Sequence, residues 1–226
     1  MGKVSKVVCQ DNLKFIEQAE KKTITSSNVL SGFNKFEYLQ KRIVDYVIII
    51  ILGSVVWPVI LYTIFRIKKE SPGPIFFTQI RIGMNEKRFL CYKFRSMHVN
   101  SRFNPYTQEN DSRIFPFGRL MRKMRIDELP QIINVLKGDM HIVGPRAEWD
   151  ILVNDYSTKI HNYTKRHLVR PGITGLAQVT YPYGQNVDDA RNKLKFDLLY
   201  IKKWSLLLEF KVIIKTIVIV LKRKGI

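Results

Sequence analysis

The chain is 226 residues long and 46% hydrophobic, enough apolar material for one cored domain with appendages. With 38 Lys and Arg against 19 Asp and Glu its formal net charge is +19, which calls for a partner carrying negative charge: nucleic acid, an anionic lipid surface or a phosphorylated substrate. Two cysteines, Cys9 and Cys91, exclude a disulfide framework and form no CxxC pair, so a reducing compartment and a cytoplasmic face are expected.

Residues 1–36 read as a loosely ordered polar leader with a short helix around residues 13–22. The stretch from Met1 to Val8 lacks the apolar core of a secretory signal. From Tyr46 to Phe65 no charge interrupts YVIIIILGSVVWPVILYTIF, a run long enough to cross a hydrocarbon core of about 30 Å. Lys41 and Arg42 precede it and Arg66, Lys68 and Lys69 follow, so the positive-inside rule sends neither end outside. Pro58 lacks an N–H, and its ring presses on the carbonyl of Ser54. A kinked hairpin that returns to its side of entry satisfies both facts, and a single-pass helix with a tolerated proline competes with it. Asp45 is costly in hydrocarbon and is expected at the interface, paired with Lys41 or Arg42.

Ser71-Pro72-Gly73-Pro74 is a turn, and Ile75 to Arg81 with Lys87 to Phe94 reads as a β-hairpin around Gly83-Met84-Asn85. Between residues 66 and 125, 14 Lys or Arg face 4 acids, more than half of the net charge. Most of these cations suit an anionic leaflet. Lys93, Arg95 and Arg113 lie close in sequence to the stretch that follows. There Asp127 and Glu128 come after Arg119, Arg122, Lys123 and Arg125 and before Leu129-Pro130, which reads as a first helical turn with Asp127 as N-cap and Gly138 as the stop. Capping by Asp127 and a favourable dipole contact for Glu128 is the ordinary reading of such a pair. GxxxxGK[ST], GxGxxG, GxSxG and HExxH are all absent, and His98, His141, His161 and His167 have no metal-ligand spacing. Carboxylates and cations remain, a set suited to Mg²⁺-assisted chemistry at phosphorus.

Val143-Gly144-Pro145-Arg146 reads as a tight turn. Arg166, His167 and Arg170 precede Pro171-Gly172-Ile173-Thr174-Gly175, whose glycines permit close backbone approach. A helix is expected from Asp188-Asp189 to Tyr200, carrying Asp197, with Asp189 and Lys193 at i, i+4. Trp204 to Lys222 reads as an interfacial amphipathic helix.

Taken in order, KRIVD (41–45), SPGPIFFTQIRIG (71–83), YKFRSM (92–97), DELPQIINVLKGDM (127–140), VGPR (143–146) and RHLVRPGITGLAQV (166–179) resemble the bacterial polyprenyl-phosphate phosphoglycosyl transferases, the monotopic sugar transferases that begin glycan assembly. The resemblance covers residues 38–224. It implies a mainly helical α+β fold: a re-entrant membrane helix over 37–70 and a cytoplasmic-face catalytic domain over 71–226, with interfacial amphipathic helices and a small β-hairpin. It further implies that Asp127 is the nucleophile attacking the β-phosphate of a UDP-sugar with release of UMP, and that Glu128 and Asp127 hold Mg²⁺. Lys93, Arg95, Arg113, Arg146, Arg166, His167 and Arg170 become phosphate or nucleotide contacts, Ser54 and Pro58 the membrane kink, and Asp197 a weaker site candidate. Expected partners are the UDP-sugar, undecaprenyl phosphate and lipids of the inner membrane, with a homodimer as the assembly to test and no nucleic acid. Two departures stand out: Ala147-Glu148-Trp149 replaces the family's second proline, and Glu209 stands where many relatives have Asp. A basic membrane-anchored adaptor without catalysis explains the charge but not the Asp127-Glu128 pair.

Overall fold

The structure, a computed structural model, describes residues 30–99, 101, 111–181 and 186–222. The helix expected around residues 13–22 lies outside them. Helix α1, Lys35–Glu70, starts on a capping box: Asn34 Oδ1 accepts from the Glu37 amide at 2.9 Å, and Glu37 Oε2 accepts from the Asn34 amide at 2.8 Å. Among the described residues it is the one helix long and apolar enough to cross a membrane, with a mean hydropathy of 2.5 in its most apolar window. It stays helical through Pro58, and the Ser54 hydroxyl donates to the Ile51 carbonyl at 2.8 Å. Ile50, Ile51, Val55 and Trp57 are exposed along its middle.

Both ends of α1 are fastened to the rest of the chain. At the first end Lys41 Nζ, fully buried, reaches Glu209 Oε1 at 2.6 Å, the Tyr200 hydroxyl at 2.7 Å and the Val143 carbonyl at 2.9 Å. Asp45 makes the expected ion pair with Arg42, at 3.8 Å, and adds closer partners in His141 Nδ1 at 2.6 Å and the Ile142 amide at 2.8 Å. The reason is burial: a carboxylate with no exposed surface needs short directed donors, and a strand end supplies them. At the second end Ile60, Ile64 and Ile67 pack with Phe94, Phe115, Phe117 and Met121. There Glu70 accepts from the Phe117 amide at 2.8 Å, satisfying a first-turn N–H of the helix that opens at Pro116.

The expected hairpin is present as β1, Phe76–Ile82, and β2, Arg88–Phe94, antiparallel, with Asn85 and Glu86 at positive φ in the connection. Helix α2, Pro116–Lys123, leads through Arg125 in a left-handed conformation (φ 54°) to a 3₁₀ turn, Ile126–Gln131, and then α3, Ile132–Lys137. Gly138 ends α3 at φ 86°, as the sequence suggests. Strands β3, His141–Val143, and β4, Gly172–Thr174, pair in parallel around the glycine turn; a Cβ at Gly172 would lie 2.0 Å from the Gly144 nitrogen, so only glycine fits. Helix α4 spans Asp150–Lys159 and α5 Leu176–Thr180. Helix α6, Val187–Lys202, begins at Asn186, whose side chain accepts from the Asp189 amide, and α7 spans Leu206–Leu221. On α7, Val212 and Glu209 face the core while Leu207, Phe210, Ile214, Ile217 and Leu221 are exposed beside Lys211, Lys215 and Lys222. Among the described residues the architecture is mainly helical α+β with two two-stranded sheets.

Candidate active site

Strand alternation puts Arg81, Cys91 and Lys93 on one face of the hairpin, and that face meets Arg146, Ala147 and Gly172 across a narrow cleft also lined by Gln131. Glu128, in the first turn of the 3₁₀ segment, is gripped from three sides. Its Oε1 takes Lys93 Nζ at 2.8 Å and Arg146 Nη2 at 3.0 Å, and its Oε2 lies 3.5 Å from Arg125 Nη1. Burial would raise this carboxyl, but Lys93, then Arg146 and Arg125, more than offset it and hold Glu128 well below the usual carboxylate range.

Asp127 is the opposite case. Equally buried, it makes no hydrogen bond or ion pair with another described residue. The expectation that Asp127 caps a helix is corrected: the cap position belongs to Arg125, and the first turn is 3₁₀ and carries no side-chain cap. The left-handed Arg125 turns the chain two residues early, so Asp127 enters the turn itself with its carboxylate uncommitted. Burial raises its carboxyl, Lys93 partly opposes this, and ionised Glu128 adds to the rise. Two adjacent carboxylates thus differ in kind: Glu128 is held by cations mainly at Oε1, with Oε2 only 3.5 Å from Arg125, and the Asp127 side chain has no partner among the described residues.

The remaining residues expected at the site divide by position. Arg166 stands behind Arg146: its guanidinium donates to the Arg146 carbonyl at 2.9 Å and to the Tyr163 hydroxyl at 2.7 Å, and lies 2.7 Å from Asp197. Arg95 is spent on the turn after α1, donating to Ser71 Oγ at 3.0 Å and the Pro72 carbonyl at 3.1 Å. Arg113 chelates Asp111. Arg170 lies over the Tyr38 ring at 5.4 Å. His167 sits by the hairpin turn, its Nδ1 3.9 Å from Glu86; burial, then neighbouring Arg166, pushes it down to about 3, so it is a neutral ring at pH 7. Arg95, Arg113, His167 and Arg170 are therefore not brought to the Asp127-Glu128 pair. Arg125 joins instead. Its place in the basic run was visible, but the left-handed turn that aims it was not.

Asp197 is pushed up to about 6 by burial, with Arg166 pulling the other way. A raised acid contributes stability that is full below its unfolded value and fades as pH rises through the folded one. Thermal unfolding of wild type should therefore lose stability from about pH 4 to 6 relative to Asp197→Asn. Parallel curves for the two proteins would show that Asp197 titrates normally.

A long apolar helix fastened at both ends to a folded unit marks a membrane-associated protein, and that unit carries two adjacent buried carboxylates of unlike surroundings. The chain belongs to the bacterial sugar transferase family, which it matches over residues 36–223. It is 45% identical over 179 residues to a UDP-N-acetylgalactosamine-undecaprenyl-phosphate N-acetylgalactosaminephosphotransferase of Aeromonas hydrophila, covering 78% of this chain and 42% of that protein. Two proteins named UDP-glucose:undecaprenyl-phosphate glucose-1-phosphate transferase are also similar. That of Xanthomonas campestris pv. campestris is 40% identical, covering 81% of this chain and 39% of the relative. That of Caulobacter vibrioides is 39% identical, covering 79% and 68%. The chain thus spans about two fifths of the length of the first two relatives and about two thirds of the third.

Proposed function

We propose that this chain moves a sugar 1-phosphate from a UDP-sugar to undecaprenyl phosphate through a covalent phosphosugar on Asp127, releasing UMP. The observation that carries the reading is the asymmetry of the carboxylate pair: Asp127 is buried with no side-chain partner among the described residues, and Glu128 beside it is held by Lys93, Arg146 and Arg125. An unpartnered carboxylate is a competent nucleophile, and the cations around its neighbour offset the charge of the diphosphate it must approach.

An Asp127 oxygen attacks the β-phosphorus. The carboxyl–phosphoryl bond forms as the bond from that phosphorus to the bridging oxygen breaks, and UMP leaves with the electron pair. A phosphate oxygen of undecaprenyl phosphate then attacks the same phosphorus and returns the carboxylate. Lys93 and Arg146 orient the phosphoryl oxygens, Arg146 by its fork of donors, and Arg166 fixes Arg146 from behind through its carbonyl. Asp127 and Glu128 offer the hard oxygen donors of a Mg²⁺ site that takes one or two carboxylates and fills the rest of its shell from water and substrate phosphates. The free carboxylate of Asp127 supports that fit. When bound, the ion would neutralise charge on the diphosphate.

The reading places the protein on the cytoplasmic face of a bacterial inner membrane, with α1 re-entrant. Support comes from α1 itself: Lys41 and Asp45 at one end and Ile67 and Glu70 at the other are bound to the same folded unit, while exposed apolar residues lie between. The exposed apolar row of α7, bordered by lysines, suits the same interface. Labels on the two flanks of α1 reacting from opposite sides of the membrane would sink re-entrance.

The test is UMP release from a panel of UDP-sugars with undecaprenyl phosphate and Mg²⁺. Release with one sugar, and severe loss in Glu128→Gln together with a weakened Mg²⁺ response, is expected. No release with any sugar would favour a basic membrane adaptor.

A further inference from the structure

Among the described residues strand β2 pairs with β1 on one side only, so its other edge needs partners for buried backbone groups. Two of them go to one side chain. Asn134 on α3, fully buried, accepts from the Tyr92 amide through Oδ1 at 3.1 Å and donates from Nδ2 to the Leu90 carbonyl at 2.7 Å. The orientation of the amide is dictated by its partners, since a backbone N–H can only donate and a carbonyl can only accept. Leu90 and Tyr92 are two apart, so both groups point off the same edge, and the primary amide does there what a residue of a third strand would do. Nδ2 also reaches Asp139 Oδ2 at 3.2 Å, and the Asn134 carbonyl takes the Asp139 and Met140 amides at 3.0 and 3.4 Å.

Asn134 thus stands where three segments meet, and each carries one party to the Glu128 cluster. The 3₁₀ turn running into α3 carries Glu128 itself. Strand β2 carries Lys93, one residue beyond Tyr92. The turn through Asp139 and Met140 enters β3, which leads to Arg146. We infer that Asn134 is a positioning residue: its amide substitutes for a missing strand and sets Lys93 and Arg146 against Glu128. For turnover this rests on the transferase reading; for geometry it does not.

Asn134→Asp keeps shape and the acceptor but turns an anionic oxygen on the Leu90 carbonyl and Asp139. Asn134→Ala removes both bonds and leaves two backbone groups unpaired. The first readout is the rate at which an amine-specific reagent labels Lys93 in the full chain, in detergent, without substrate. Labelling about tenfold faster than wild type is expected in both variants, with Glu128→Gln setting the scale of a released Lys93 and fully buried Lys41 still protected. The second readout is UMP release, in which kcat should fall about 100-fold while the membrane-bound fraction is unchanged. Wild-type labelling rates at Lys93 in Asn134→Asp overturn the inference, as does faster labelling of Lys41 in step with Lys93, which would mean general loosening. A wild-type chain that releases no UMP defeats the transferase reading alone, because labelling still reads the geometry.

Discussion

Asp127→Asn should abolish sugar-phosphate transfer, by about 10⁴-fold or more, while the protein still partitions into membranes and binds its UDP-sugar. The amide keeps the shape and burial of the carboxylate but is no nucleophile, and no neighbouring group can take its place because Glu128 is held by three cations. Loss of UMP release and of any phosphosugar adduct on the chain is the measurement. Near-normal turnover would refute covalent catalysis. The same variant should gain stability. Burial raises the Asp127 carboxyl, so its folded value lies above its unfolded one; the stability it contributes is full below the unfolded value and lost as pH rises through the folded one. At neutral pH the wild-type carboxylate is therefore a cost that the amide removes, and a Tm at or below wild type would show that Asp127 is not strained by burial. For turnover the sign is reversed, since the ionised form attacks: activity should fall on acidification at a higher pH than an ordinary aspartate would impose.

Glu209→Ala should be the most destabilising single change, by about 3–5 kcal/mol, because it strands a buried ammonium. Glu209 takes Lys41 at 2.6 Å, the Tyr200 hydroxyl at 2.7 Å and Trp204 Nε1 at 2.9 Å, and both charged side chains have no exposed surface. Lys41 also lies 5.4 to 5.8 Å from the ring centroids of Phe33, Tyr200 and Trp204, so once the carboxylate is gone the buried ammonium keeps only neutral partners, the Tyr200 hydroxyl and the Val143 carbonyl. Thermal unfolding in detergent should show a drop of about 10 °C. Replacing both partners, Lys41→Met with Glu209→Leu, should recover most of it. A small loss in Glu209→Ala would mean that water enters and solvates Lys41.

Local signals carried far in this chain and long-range ones did not. The hairpin was legible because Phe, Ile and Tyr runs flank Gly83-Met84-Asn85, and the stop at Gly138 because a positive φ selects glycine. The charge-free run declared α1 by length alone. Asp127 was misread as a cap because capping is inferred from residue type, whereas the position of the cap was decided by Arg125 adopting φ 54°, a conformation its residue type does not announce. Arg95 and Arg113 stand out by lying close in sequence to the Asp127-Glu128 stretch, whereas Arg146 becomes a phosphate contact only through the resemblance. Yet Arg95 serves the Ser71-Pro72 turn and Arg113 its neighbour Asp111, while Arg146, from a strand end beyond α3, reaches Glu128. Pairings such as Asp45 with His141 span 96 positions, a separation that no local pattern encodes.

The buried lysine of α1 also sets an order of events during synthesis. Glu209 follows Lys41 by 168 residues, so at about 5–20 residues per second the lysine waits roughly 10–30 s for its counterion. Throughout that interval its ammonium must stay in water or among lipid headgroups, holding the start of α1 at the membrane surface. The clasp between α1 and α7 then closes only once α7 has been made, which ties the seating of the first to the synthesis of the second.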